Sequence, residues 1–139
     1  MTSGLFIGKE KIFRDVIGLA EDWMLVRERS GFDGGTLQEI HEFSKTPEGQ
    51  KIEAAEKALS NYLFSLSFDD VKMIQTVMYL GRDQDYNNSL TAVEIYNDFL
   101  GDLDRHGWES KETETNQILE KGPLARYLKS GLKILDVQI

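Results

Sequence analysis

Cysteine is absent from the 139 residues of this chain, and histidine and proline occur only twice each. The lack of cysteine excludes disulfide scaffolds, thiolate zinc sites, iron–sulfur clusters and cysteine nucleophiles. It also fits a reducing compartment. The two histidines, His41 and His106, are far apart in the sequence, and neither lies in a metal motif such as His-Glu-x-x-His.

Long apolar runs are also missing. No stretch approaches the about 18 apolar residues that a membrane-spanning helix requires. The N-terminal segment, residues 1–8, is short and uncharged, and it lacks the basic start, apolar stretch and cleavage site of a secretory signal. We therefore expect a cytoplasmic protein with no membrane partner.

Positive charge is scarce. The chain has 16 Lys and Arg residues against 24 Asp and Glu residues, which gives a formal net charge of −8. Because nucleic acids bind through phosphate neutralisation by Lys and Arg, we expect no nucleic-acid partner. Cations and basic proteins suit such a surface better. One hypothesis is therefore an acidic inhibitor or immunity-type protein that blocks a basic partner by charge complementarity.

What the sequence does contain is helical periodicity. Val71, Ile74, Val77 and Met78 are spaced to share one face of a helix, and similar spacing recurs along most of the chain. No segment alternates with the period of two that a half-buried strand shows. The pattern predicts an all-α protein: a single-domain irregular helical bundle of about six to seven amphipathic helices over residues 1–139. A seam at Leu66-Ser67 would divide it into helical halves, 1–66 and 67–139.

Capping residues and helix breakers predict where several helices begin and end. Thr36, with Glu39 three residues later, forms a capping box. Gly81 is expected to end the helix that carries Val77, and Pro123 to begin the last helix. The residues between Gly107 and Ile118 are mostly polar and are interpreted as a connecting stretch.

One segment, Asp83–Glu94, carries oxygen-bearing side chains at alternating positions and resembles the calcium loop of the EF-hand family. Calcium takes about six to eight oxygen ligands, and such a loop supplies them from alternating positions and from a final bidentate carboxylate. Leu90 stands at the eighth position, where the family turns an apolar residue inward. The resemblance implies a tentative calcium site with these ligands, Thr91 acting through water: Asp83, Asp85, Asn87, Ser89, Thr91 and Glu94.

Two positions of this loop depart from the family pattern. Asn88 stands where the family carries glycine, and Tyr86 stands where it avoids bulky aromatic residues. The alternative interpretation is a polar connector between helices, in which Asn88 or Ser89 caps the following helix and Glu94 complements its dipole.

A second resemblance covers about half of the chain. Residues 68–132 include Gly81-Arg82-Asp83 after an amphipathic helix, and Tyr127-Leu128 followed by Gly131-Leu132. In these features the segment resembles a small bacterial family of unknown function. The resemblance implies no activity, and it offers another explanation for the first motif: a glycine C-cap followed by an Arg–Asp contact.

A possible interface is suggested by a basic stripe on the last helix, formed by Arg126, Lys129 and Lys133. The alternative is an ordinary charged outer face. Trp108, which follows Gly107 in a polar segment, is a candidate interface anchor.

No nucleophile elbow, phosphate loop or Gly-x-Gly-x-x-Gly motif occurs. We therefore expect no enzyme and no cofactor unless calcium binds. The function expected first is a noncatalytic one, in which a small acidic helical protein binds or regulates a protein partner or associates with itself.

Overall fold

The computed structural model describes residues 4–32 and 34–139, and this part of the chain folds into seven α-helices with no strand. The predicted all-α single-domain fold is thereby confirmed. The helices are α1 (Glu10–Ser30), α2 (Leu37–Ser44), α3 (Pro47–Ser65), α4 (Phe68–Asp83), α5 (Ala92–His106), α6 (Lys111–Leu119) and α7 (Leu124–Ile134).

Helix α4 lies at the centre of the bundle. It packs most extensively against α7 and also contacts α5 and α6. The face predicted from its spacing is completely buried. Its neighbours Met73, Gln75 and Thr76 are buried as well, so α4 is covered on nearly all sides.

Two glycines allow α4 and α7 to approach closely. A Cβ atom on Gly81 would lie 1.8 Å from the carbonyl oxygen of Tyr127, and one on Gly131 would lie 2.2 Å from the carbonyl oxygen of Val77. The prediction that Gly81 ends α4 is therefore wrong, since glycine serves helix packing there. The helix runs on to Asp83, and Gln84 ends it in the left-handed conformation, at φ 53°.

Helix α1 packs against both α3 and α7. The first and last helices of the chain are therefore in contact. Phe13 and Val16 of α1 are fully buried, as are Leu59 and Leu63 of α3. The hydroxyl of Tyr62 donates a hydrogen bond of 2.8 Å to the Asp15 carboxylate and links the two helices at the surface.

Local capping explains several helix starts. The predicted capping box of Thr36 and Glu39 is present, and Pro47 occupies the first turn of α3 behind Thr46. Pro123 is the N-cap of α7, so the last helix begins at Leu124, one residue later than predicted. The expected polar connection after Gly107 is wrong in part, because Ser110 caps a further helix there, α6.

Candidate functional site

The segment predicted to bind calcium begins inside α4. Asp83 is the last residue of that helix, and its Oδ1 accepts a hydrogen bond of 2.7 Å from Arg82 Nε. The Arg–Asp contact expected from the second resemblance is therefore present, while the expected glycine C-cap is not. To bind an ion, the Asp83 carboxylate would have to leave a bidentate partner, since Arg82 Nη2 also lies 3.3 Å from Oδ2.

The middle of the segment forms a local turn. Asn87 Oδ1 accepts hydrogen bonds from the backbone nitrogen of Ser89 at 3.0 Å and from its hydroxyl at 2.6 Å. Asp85 and Tyr86 are exposed. Leu90 is half-buried and packs against the core, which is the inward position predicted for it.

The end of the segment caps α5. Glu94 Oε1 accepts a hydrogen bond from the backbone nitrogen of Thr91 at 3.0 Å, and Thr91 Oγ1 accepts one from the backbone nitrogen of Glu94 at 3.2 Å. Both bonds to Thr91 favour the ionised carboxylate and lower the pKa of Glu94. The residue that caps α5 is thus Thr91, not Asn88 or Ser89 as the alternative interpretation expected.

The candidate ligands are therefore divided among a helix end, a turn and a cap. Within residues 4–32 and 34–139, no group of three or more His, Asp or Glu side chains is placed to hold a metal ion. Calcium binding at Asp83–Glu94 stays a prediction, and it would require Asp83 and Glu94 to exchange their present partners for the ion.

Two of the predicted interface residues already have partners within the protein. Trp108 is half-buried, and its indole nitrogen donates to the Asp104 carboxylate. Arg126 is exposed, and its guanidinium lies 5.6 Å from the centre of the Tyr127 ring.

The other two, Lys129 and Lys133, lie together in a groove of about 590 Å³ that is lined by α1, by α7 and by residues 136–139, which follow α7. We call it the α1–α7 groove. Ile17, Leu132 and Val137 contribute apolar surface to it, and each of them is more than nine-tenths buried. Arg14 of α1 also lines it.

Charge in the α1–α7 groove is mixed but locally basic. Lys129 Nζ lies 2.8 Å from Glu21 Oε2, and both groups are well exposed. Arg14 and Lys133 form no ion pair within the described part of the chain. The groove therefore offers two cations without an ion pair beside an apolar floor, with the carboxylate of Asp136 also in its lining, in a protein whose net charge is −8.

Sequence reasoning found the α7 side of this groove and missed the α1 side. Arg14 is exposed and interrupts no pattern, so periodicity alone gives it no role. The available signal was Gly18, four residues later and in the same helix. An interior helical glycine costs about 1 kcal/mol relative to alanine, and Gly18 lines the groove.

Comparison of the chain with protein-family models, with curated proteins and with solved structures finds no match in any of the three. The resemblance of residues 68–132 to a bacterial family and that of Asp83–Glu94 to an EF-hand loop therefore stay predictions. Among the helices of the described residues, none has the length and apolar content needed to cross a membrane.

Proposed function

We propose that this protein is noncatalytic and acts by binding a segment of a protein partner in the α1–α7 groove. The segment carries apolar side chains that contact Ile17, Leu132 and Val137, and acidic side chains that meet Arg14 and Lys133. The observation that supports this is the presence of two cations without an ion pair beside an apolar floor.

The two parts of the groove contribute differently. Burying one leucine-sized side chain of the partner would stabilise the complex by about 1.5–3 kcal/mol. An exposed ion pair adds only about 0.2–1 kcal/mol, so the floor supplies most of the affinity. The cations orient the segment and reject basic competitors, because like charges brought together are costly.

The net charge of the protein limits which class of partner we expect. A surface with a net charge of −8 repels acidic molecules at long range. Within the groove an acidic segment is attracted at short range by Arg14 and Lys133, because the lining cations, which include Lys129, outnumber the lining carboxylates of Glu21 and Asp136. We expect no binding of nucleic acid, whose phosphates would face the acidic remainder of the surface.

The test uses a fluorescein-labelled peptide in which glutamate and leucine residues are arranged as an amphipathic helix. Its control is the same peptide with lysine in place of every glutamate. We expect fluorescence anisotropy to show saturable binding of the acidic peptide only, weakening as salt rises from about 0.05 M to about 0.5 M. Preferential binding of the lysine peptide would contradict the proposal and favour the acidic-inhibitor hypothesis.

Matched variants on α7 locate the binding surface. Lys133→Glu reverses a charge inside the α1–α7 groove, and Arg126→Glu makes the same change of charge on the same helix outside it. We expect Lys133→Glu to weaken peptide binding about tenfold, and Arg126→Glu to leave it nearly unchanged. Equal effects of the two substitutions would show that only overall charge matters. Concentration-dependent mass that Lys133→Glu abolishes would instead identify a second copy of the chain as the occupant.

A further inference from the structure

A second cavity, of about 320 Å³, lies where α4 faces α6 and the connection between α5 and α6. Gln75 of α4 lines it together with Glu109, which precedes α6, and Glu114 and Gln117 of α6. Trp108 also lines it. Of the described residues that line this cavity, none is a lysine or an arginine. Its charge is therefore set by two carboxylates.

Gln75 contributes an acceptor without a partner. Its side chain is only 2% exposed. Its Nε2 donates to Gln117 Oε1 at 3.2 Å and to the Tyr79 hydroxyl at 3.4 Å. Its Oε1 is buried and has no hydrogen-bond partner in the part of the chain that the structure describes. Since nearly all buried polar atoms in proteins are paired, such an oxygen calls for a donor.

Glu114 contributes a second acceptor. It is 5% exposed, and its carboxylate forms no hydrogen bond or ion pair with any described residue. Burial raises the pKa of Glu114, and the nearby carboxylate of Glu109 raises it further. A buried carboxylate without a partner destabilises the fold, and a bound cation would offset that cost.

The surrounding groups leave the donor to come from outside. His106 Nδ1 lies 2.9 Å from the carbonyl oxygen of Asp102 and donates to it, so this nitrogen offers no proton to the cavity. Three cations lie over aromatic rings that line the cavity, and one of them is Lys121, whose Nζ lies 5.9 Å from the Tyr79 ring centre. Lys72 Nζ lies 5.6 Å from the Trp108 ring centre, and Arg82 Cζ lies 4.5 Å from the Tyr79 ring centre.

We propose that this cavity binds a guanidinium group, with Glu114 and Gln75 Oε1 accepting its N–H bonds. A guanidinium ion presents five donors in a plane, is weakly hydrated and packs well against an indole. It therefore suits a site that combines carboxylate and amide oxygens with Trp108. The group belongs either to an arginine side chain of a protein partner or to a free small molecule.

The test is a titration of the isotope-labelled protein with ethylguanidinium, followed by NMR of the Trp108 indole N–H and the side-chain amides of Gln75 and Gln117. We expect saturable shifts of these resonances below about 50 mM ligand, a weak site by the usual scale of affinities. Ethylurea, which has a similar shape and no charge, is the ligand control and should cause no saturable shift. A linear response to ethylguanidinium, or an equal response to ethylurea, would overturn the proposal.

Two substitutions on α6 complete the test. Glu114→Gln removes the buried charge with little change in size and should weaken binding about tenfold or more, the usual effect of losing a charged hydrogen bond. Glu112→Gln makes the same change at an exposed position two residues away and should leave binding intact. Equal binding of ethylguanidinium by both variants would exclude Glu114 as the acceptor and contradict the proposal.

Titration with a second ligand, the peptide acetyl-Gly-Arg-Gly-amide, distinguishes the two possible sources of the guanidinium group. Tighter binding of this peptide than of ethylguanidinium supports an arginine of a protein partner, and weaker binding supports a small molecule. Neither result depends on the α1–α7 groove, which shares no lining residue with this cavity.

Discussion

Glu94 and Glu114 both lie near the start of a helix, yet their surroundings shift their pKa values in opposite directions. Glu94 is exposed and accepts hydrogen bonds from Thr91, which lowers its pKa. Glu114 is buried beside Glu109, which raises its pKa. A helix start favours negative charge in both cases, so at Glu114 the loss of hydration outweighs the helix dipole.

The raised pKa of Glu114 predicts how stability depends on pH. Ionisation of this residue is less favourable in the folded chain than in the unfolded chain, so its contribution to stability falls as pH rises from the ordinary glutamate pKa to the folded one. Glu114→Gln removes this penalty. We expect the variant to melt at a higher temperature than the natural sequence at pH 7, and the difference to shrink towards zero near pH 4.

Thermal unfolding followed by circular dichroism at several pH values checks this prediction. Glu112→Gln serves as the control, because an exposed glutamate on the same helix should show no such trend. A variant at position 114 that is less stable than the natural sequence at pH 7 would show that the carboxylate has a stabilising partner. Higher stability would also mean that weaker guanidinium binding by Glu114→Gln does not come from unfolding.

At the scale of helices, sequence patterns succeeded where burial and hydrophobicity agree. The face of α4 was predicted because its buried positions carry valine, isoleucine and methionine. Helix α6 was missed because two of its three buried positions carry Glu114 and Thr115, which hide the helical period. The end of α4 was misplaced because glycine commonly ends a helix, whereas Gly81 lies inside α4 and allows close packing against α7.

The contact between α4 and α7 predicts a severe cost for enlarging Gly81. Because its Cβ would meet the backbone oxygen of Tyr127 at 1.8 Å, Gly81→Ala forces the two helices apart. We expect a loss of about 3 kcal/mol, the upper part of the usual range for overpacking. Urea denaturation measures this as a lower midpoint with an unchanged slope.

Gly101→Ala is the matched control for this substitution. Its Cβ would meet only the Arg105 side chain, at 3.5 Å, which is an ordinary contact. Alanine is the better helix former, so this variant should gain about 0.5–1 kcal/mol. If Gly81→Ala were as stable as Gly101→Ala, the close approach of α4 and α7 would be wrong.

At the scale of the whole molecule, both candidate sites depend on contacts that are distant in sequence. The α1–α7 groove joins Arg14 to Lys133, and the second cavity joins Gln75 to Glu114. Periodicity places a residue on a face of its own helix but says nothing of which helix packs there. For this reason the sequence predicted Lys129 and Lys133 as an interface, but neither the groove nor the second cavity.

Long-range contacts also cross the predicted seam at Leu66-Ser67, which would divide the chain into two helical halves, 1–66 and 67–139. Helix α1 packs on α7, and α3 packs on α6. Ion pairs also cross the seam: Lys9 Nζ lies 3.0 Å from Asp70 Oδ1, and Lys129 pairs with Glu21. Core residues of each half are therefore covered in part by the other half.

We accordingly expect the chain to unfold as one cooperative unit. Its two tryptophans can test this, because Trp23 lies in the first half and Trp108 in the second. Trp108→Phe leaves a probe of residues 1–66, and Trp23→Phe leaves a probe of residues 67–139. In each variant, the urea midpoint from tryptophan fluorescence should equal the midpoint from circular dichroism at 222 nm, because coincident probes are the signature of two-state unfolding. Each comparison is made within one variant, so a difference in stability between the variants does not affect it. A fluorescence transition that precedes the loss of helix in either variant would instead show that the two halves fold as separate domains.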